Sequence, residues 1–474
     1  MSQKVLFVAD EAFPLFKIGG LGDVAGSLPI ALESTGVDIR LLIPFHPEIT
    51  AQGFSLESRF QITYDNQLLE VELHRGWLPN SKVPTYLIKE DTYISKQTDA
   101  SDNHADKFAV FSLAVSHWLV SVDKEWTPEI LHLNDWHSAL IPLILKNHYH
   151  NQNYKSLITI HNIMYQGRTD TPVLEKIGFD PEDVNHRRSY SPENKLNILL
   201  EGLIAADHIT TVSNQYVNEI LTPEYGEDIQ DHMHNLKYKL TGILNGLDLE
   251  TFNPAKDPQI VQNYDITSFV SGKEKNKRAL TNELGLDQNL KVPLLGFVGR
   301  VDRRQKGVQL IIELVKKKFF EKSQTQFVFL GTGDPELEKD LHAVAKDKTR
   351  VRIFTKYDEA LAAKIYASSD LALIPSKFEP CGLVQMIAMR YGSIPVARKT
   401  GGLADTIKDG VDGFLFEAYD VEAFERSLIK SLTCLSNKEL RHKIIRSCLK
   451  KDFSWYTSAL EYVKLYVNLT HRQQ

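Results

Sequence analysis

Asp370 to Asp405 reads DLALIPSKFEPCGLVQMIAMRYGSIPVARKTGGLAD. Leu371 to Pro375 is a short apolar run closed by proline, and Leu383, Met386 and Ile387 recur at helical spacing. Ile394 to Ala397 is apolar again before Gly401 and Gly402. The order predicted is strand, loop, helix, strand, glycine turn, the unit of a parallel α/β sheet. Between the first strand and the helix stand Glu379, Pro380, Cys381 and Gly382. Gly382 lets backbone pass close to a ligand, and the free N–H groups that begin near Gly382 and Leu383 point where a phosphate would lie. A carboxylate beside such a place binds something uncharged that the phosphate carries, such as sugar hydroxyls. The alternative is a solvated acid near a helix start, where acids are common.

Working outward, Leu294 to Val298 opens the same alternation, followed by Gly299-Arg300 and a charged loop to Lys306-Gly307. A helix to about Phe320, a strand Phe327 to Leu330, a strand Val351 to Thr355 leading to Tyr357, and a helix to Ser368 complete it. The N-terminal half repeats the architecture. Val5 to Ala9 is a buried-strand pattern, and Lys17-Ile18-Gly19-Gly20-Leu21-Gly22 leads into a helix reaching about Ser34. A glycine-rich turn after the first strand is where doubly wound folds bind phosphates, but this one lacks the three spaced glycines of the dinucleotide fingerprint. A flexible turn with a surface lysine is the plainer reading. Ile130 to Leu133 feeds Asn134-Asp135-Trp136-His137, where Asn134 or Asp135 is expected to cap a helix running to Lys146. His132, Asp135 and His137 straddle a strand end and a helix start, so they are not expected to converge on a metal. Ser156 to Ile160 ends in His161-Asn162, which faces the ligand crevice of such a sheet or is a satisfied structural histidine. Ser95 to Asp106 reads as loop, Thr169 to Asn194 as a polar insertion, and Ser213-Asn214 as a helix cap.

A chain of 474 residues exceeds what one core supports, so two domains are expected, with the linker near Asn245 to Asn253. The net charge of -6 argues against a nucleic-acid polyanion as partner. Cys381, Cys434 and Cys448 form neither a paired framework nor metal spacing, which suits a reducing cytoplasm. No stretch has the length of a signal peptide or a membrane span, so no membrane is expected as partner.

Lys17-Ile18-Gly19-Gly20-Leu21, Asn134-Asp135-Trp136-His137, His161-Asn162-Ile163-Met164-Tyr165-Gln166-Gly167, Asn245-Gly246-Leu247-Asp248, Gln305-Lys306-Gly307 and Phe378-Glu379-Pro380-Cys381-Gly382-Leu383 occur in one order. In this the sequence resembles the bacterial glycogen synthase and plant starch synthase family, over nearly its whole length. The resemblance implies a GT-B type fold, two Rossmann-like domains facing a deep cleft. The domains expected are 1–245 on the acceptor side and 246–455 for the nucleotide sugar, with a helix in 456–474 crossing back to the first. It implies transfer of glucose from ADP-glucose to the non-reducing end of an α-1,4-glucan, with retention, with no metal and no cofactor.

By matching motifs, Gly19 and Gly20 would bring N–H groups to the diphosphate, with Lys17 adding charge. Arg300 and Lys306 would neutralise the leaving phosphate. His161 would hydrogen-bond the transferred glucose, Glu379 its hydroxyls, and the amides of Gly382 and Leu383 the distal phosphate. Tyr357 would stack on adenine, and Asp135 would line the acceptor side. Asp23, Asn162, Tyr165, Asn245, Gly246 and Cys381 complete the expected substrate-binding set. Domain closure would assemble Lys17 and His161 with Arg300, Lys306 and Glu379.

Four positions depart from the family pattern. One extra residue lies between Arg300 and Lys306, so that Arg303 or Arg304 is a candidate to share the phosphate role. Leu200 stands for a common lysine, Asp228 for a glycine and Met164 for a small residue. A relative using UDP-glucose or a small acceptor is the competing enzymatic reading. A non-catalytic glucan-binding homologue would show lesions at Lys17, His161, Arg300, Lys306 or Glu379, and all five are present.

Overall fold

The structure, a computed structural model, describes residues 3–96, 104–188, 193–346 and 348–471. The chain divides into two units, Met1–Gly246 with Trp455–Gln474, and Leu247–Ser454.

The first unit is built on β1 (Lys4–Val8), β2 (Asp38–Pro44), β3 (Ser55–Tyr64), β4 (Gln67–Trp77), β5 (Pro84–Lys89), β6 (Ile130–Asn134) and β7 (Lys155–Ile160). A two-residue ladder, β8 (Arg168–Thr169) with β9 (Leu196–Asn197), stands apart, and β10 (His208–Thr211) and β11 (Leu240–Gly242) complete the set. Nine strands form one sheet in the order β11-β10-β7-β6-β1-β2-β5-β4-β3. It is parallel from β11 to β5 and antiparallel where β4 meets β3 and β5. Parallel strands are covered on both faces, which is why VLFV is an unbroken apolar run and LITI is broken only by Thr159, whose hydroxyl is hydrogen-bonded to His132 and Thr210. One face packs on the helix Ala105–Ser121 and the other on the helix Gly20–Ser34. The last helix, Trp455–His471, joins the second of these cores through Trp455, Ala459, Tyr462 and Tyr466. The Tyr466 hydroxyl lies 2.6 Å from Nδ1 of His132, a residue of β6.

The second unit holds β12 (Leu294–Val298), β13 (Gln326–Leu330), β14 (Val351–Phe354), β15 (Leu371–Ile374), β16 (Ile394–Arg398) and β17 (Phe414–Phe416). Its order is β14-β13-β12-β15-β16-β17, all parallel. The chain moves outward from β12, then returns to the other side of β12 with β15. That reversal makes a switch point between β12 and β15, and the same reversal in the first unit lies between β1 and β6. Ligands of doubly wound sheets bind at the carboxyl ends of strands at such points.

Several local expectations are corrected. Neither Asn134 nor Asp135 caps a continuous helix: a 3-10 turn, Trp136–Ser138, is followed by a helix Leu140–Leu143 and a π turn Ile144–His148. Asp135 instead takes φ 53°, outside the range a cap requires. Gly401-Gly402 open a short helix rather than a turn. The polar insertion contains helices Val173–Ile177 and Pro181–Arg188. The loop expected at Ser95 to Asp106 lies partly outside the described residues, and a helix begins at Ala105. Among the described residues no helix is long and apolar enough to cross a membrane.

Candidate active site

In the second unit the ends of β12 and β15 bring two distant loops together. Lys306 Nζ donates to Glu379 Oε2 at 2.6 Å, and the Gln305 amide nitrogen donates to Oε1 at 3.3 Å. Ser376 donates its hydroxyl to Oε2 at 3.0 Å, and Arg300 donates to Gln305 Oε1 at 2.8 Å. Arg300, Gln305, Glu379 and Lys306 thus form one continuous network, in which Glu379 is 5% exposed. Gln305 and Ser376 carry no role in the sequence reading. The signal available there is their position beside Lys306 and ahead of Glu379.

The loop from Arg300 to Lys306 is shaped by Asp302, whose Oδ1 accepts from the backbone N–H groups of Arg304, Gln305 and Lys306. Arg303 turns away and pairs with Asp334 at 2.6 Å, so the extra residue leaves Arg300 and Lys306 as the cations joined to Glu379. Gly307 adopts φ 69°, and a Cβ there would lie 1.9 Å from the Pro375 carbonyl oxygen. The glycine is what lets the Lys306 loop lie against the end of β15. Gly382 has φ 76° and a Cβ would meet Gln385 Oε1 at 2.5 Å and Glu379 Cγ at 2.9 Å. Cys381 is buried, and the helix Val384–Arg390 follows with Leu383 at its cap position. Tyr357 is 79% exposed on the loop after β14, with its hydroxyl directed to Glu359.

In the first unit the polar groups lie at the ends of β1, β6 and β7. The Asp135 carboxylate accepts the His161 backbone N–H at 2.7 Å. Asn134 Nδ2 donates to the Val8 carbonyl at 2.9 Å, so its Oδ1 faces His161 Nε2, also at 2.9 Å. His161 therefore carries its proton on Nε2 and offers Nδ1 as an acceptor. Burial pushes the His161 imidazole down to about 3, with His137 adding to the shift, so it works as a neutral group. Asn162 accepts from the Met164 N–H, and Tyr165 is 49% exposed. Tyr165 lines a cavity of about 440 Å³ with Trp136, Met164, Gln166, Arg168 and Glu227. Asn245 is buried with no hydrogen-bond partner for Oδ1 among the described residues, and a Cβ on Gly246 would lie 2.5 Å from Trp455 Cα.

The glycine loop is closed by Glu11. The Glu11 carboxylate accepts from the N–H groups of Ile18 and Gly19, the latter at 2.9 Å. Gly19 is thus already bonded within the loop, and Gly20, the first residue of the helix Gly20–Ser34, is not bonded to Glu11. Lys17 pairs with Asp23 at 2.7 Å, both side chains being about a third or more exposed, so the pair adds little stability. Of the other departures, Leu200 is fully buried in the core and Met164 faces the cavity. Asp228 takes φ 68°, a left-handed conformation glycine adopts freely, and lies 3.4 Å from Arg168.

Burial raises the Asp135 carboxyl to about 7, against the pull of the His161 and Asn162 backbone N–H groups, and the Glu11 charge adds to the rise. In the folded chain Asp135 keeps its proton where the unfolded chain has lost it. Its contribution to stability is therefore full below pH about 4 and is lost as pH rises through about 7. Asp135→Asn, which cannot ionise and keeps the acceptor oxygen, is expected to gain stability over the parent on going from about pH 5 to about pH 8, by about 1–3 kcal/mol. Chemical denaturation at the two pH values checks it.

Two doubly wound sheets, the first mixed and the second all parallel, each with its polar cluster at a switch point, define the GT-B class of glycosyltransferase. The starch synthase catalytic domain profile matches residues 4–235, and that of glycosyl transferases group 1 matches residues 280–450. A glycogen synthase of Kosmotoga olearia is 40% identical over 98% of this chain and 97% of its own. The catalytic domain of starch synthase IV from Arabidopsis thaliana, solved with ADP and acarbose, superimposes with a TM-score of 0.87 at 32% identity, covering 99% of both chains. A sucrose-phosphate synthase from Thermosynechococcus elongatus shares the fold with a TM-score of 0.62 at 18% identity, over 99% of this chain and 100% of its own. The chain belongs to the bacterial glycogen synthase and starch synthase family of glycosyltransferases.

Proposed function

We propose that this enzyme is a cytoplasmic glycogen synthase that transfers glucose from ADP-glucose to the 4-hydroxyl at the non-reducing end of an α-1,4-glucan. The observation that carries the reading is the Arg300–Gln305–Glu379–Lys306 network at the switch point of the second sheet, with Gln305 and Glu379 buried at its centre. It joins two cations suited to a leaving diphosphate to a carboxylate suited to sugar hydroxyls. The ADP and acarbose held by the Arabidopsis relative support a nucleotide donor and a glucan acceptor.

In this reading the bond between glucose C1 and the phosphate oxygen breaks as C1 meets the acceptor oxygen on the same face. The acceptor proton passes to the departing phosphate oxygen, and configuration is retained. Arg300 and Lys306 stabilise the charge that develops on the diphosphate, usually the largest catalytic contribution. Neutral His161 accepts a sugar hydroxyl at Nδ1, and the Trp136–Tyr165 cavity takes the glucan. Gly20, Gly382 and Leu383 offer N–H groups to phosphate, and Tyr357 offers its ring to adenine. These cations meet the leaving group without a metal ion or other cofactor.

The test is incorporation of labelled glucose into glycogen from ADP-glucose and, separately, from UDP-glucose, with Glu379→Ala alongside. Incorporation from ADP-glucose that the substitution abolishes is expected. Preference for UDP-glucose, or a covalent glucosyl adduct on a carboxylate of the enzyme, would contradict the donor and the same-face step respectively.

A further inference from the structure

Lys107 stands in the first turn of the helix Ala105–Ser121, where the helix dipole disfavours a cation, and it is only 8% exposed. Lysine is seldom buried unless paired. Its Nζ lies 3.3 Å from His46 Nδ1, and the other ring nitrogen of His46, Nε2, lies 2.8 Å from the Asp10 carbonyl oxygen and 3.1 Å from Asp10 Oδ1. An ammonium can only donate, so Nδ1 is the acceptor and Nε2 carries the proton. The imidazole is held at both ends. His46 and Asp10 are 3% and 6% exposed, so all three groups are removed from water and are tolerable there only together.

What rests on this relay is the glycine loop. The Phe16 ring stacks on the His46 imidazole, centroids 3.9 Å apart at 20°, and Phe16 is the residue before Lys17. Asp10 is followed directly by Glu11, whose carboxylate closes the loop onto Ile18 and Gly19. Both anchors of the segment 10–19 are therefore tied to Lys107 through His46, one by way of Phe16 and the other by way of Asp10. The second Asp10 oxygen lies 4.0 Å from His137 Nε2, in the turn that follows Asp135.

We propose that Lys107, His46 and Asp10 are positioning residues for the transfer, holding the loop that presents Lys17 and the Gly20 N–H to the donor's diphosphate. The proposal rests on the donor reading given above. Its physical content is that none of the three touches substrate, yet each fixes the orientation of a group that carries the loop. Removing one partner leaves a buried charge uncompensated, and the loop then moves to hydrate it.

The test uses Lys107→Met, Asp10→Asn, the double variant and the conservative Lys107→Arg in the full-length enzyme. Lys107→Met is expected to raise the KM for ADP-glucose about tenfold while the KM for glycogen stays unchanged, and Lys107→Arg to recover most of it. The double variant is expected to be no worse than either single one, since it leaves no unpaired charge. Hydrogen exchange at Ile18 and Gly19 supplies a readout independent of turnover. Their protection is expected to fall by about tenfold or more in Lys107→Met while β1 and β2 keep theirs. Unchanged exchange at Ile18 and Gly19 overturns the positioning role. Faster exchange with an unchanged donor KM, or equal changes for both substrates, overturns its link to the donor. A parent enzyme inactive with ADP-glucose removes the donor reading instead, and the exchange measurement still decides whether the relay holds the loop.

Discussion

Lys306→Ala is expected to lower kcat by about 10²–10³-fold, the usual loss when one group stabilising developing charge is removed. It is also expected to cost the second unit about 3–5 kcal/mol. The two effects have one origin. Lys306 Nζ sits 2.6 Å from Glu379 Oε2, with the side chains 16% and 7% exposed, so deleting the lysine strands a carboxylate in a site that water barely reaches. The remaining contacts, from Ser376 and the Gln305 amide, are neutral donors and do not balance its charge. Adding Glu379→Gln to Lys306→Ala removes the stranded charge. Stability should then return by several kilocalories per mole while activity does not, because the cation needed by the diphosphate is still missing. Urea denaturation and initial rates on the two variants separate these effects. A double variant no more stable than Lys306→Ala would show that the ion pair is not the source of the loss.

Gly307→Ala is expected to have the next largest effect, about 2–4 kcal/mol of stability with a parallel loss of donor-dependent rate. At φ 69° an alanine is strained by its own backbone, and its Cβ would lie 1.9 Å from the Pro375 carbonyl oxygen, a backbone atom that cannot swing aside. The Lys306 loop would have to lift from the end of β15, taking Lys306 off Glu379. Gly410 is the control, since it has φ 73° but nothing within 4 Å of an added Cβ. Gly410→Ala should therefore show only the conformational cost, about 1 kcal/mol. Equal losses in the two variants, measured by thermal or urea unfolding, would remove the packing part of this argument.

The apolar runs are enough to read most of the parallel sheets, because a strand buried on both faces is largely apolar along its length. The order of motifs likewise marks Glu379, Lys306, Arg300 and His161 as candidates. Their partners are harder to read. Lys306 and Glu379 are 73 positions apart, and only the reversal that places β15 beside β12 brings their loops together. Gln305 and Ser376 are polar residues of no special chemistry until that pairing exists. Glu11 is hidden for a different reason: an acid in a loop suited to anions reads as out of place, yet it binds the loop's own N–H groups. Asp135 reads as a helix cap because local spacing allows it, whereas the backbone takes a positive φ there and aims the carboxylate at the end of β7. The Lys107–His46–Asp10 relay joins a helix to the loops after two strands and leaves no local pattern at all.

The most direct measurement is to incubate the purified enzyme with a defined maltooligosaccharide and unlabelled ADP-glucose, and to follow both chain length and free ADP. Products longer by successive α-1,4-linked glucose units are expected, with one ADP released per unit added. ADP release without chain extension, or extension to a different linkage, would contradict the proposed transfer.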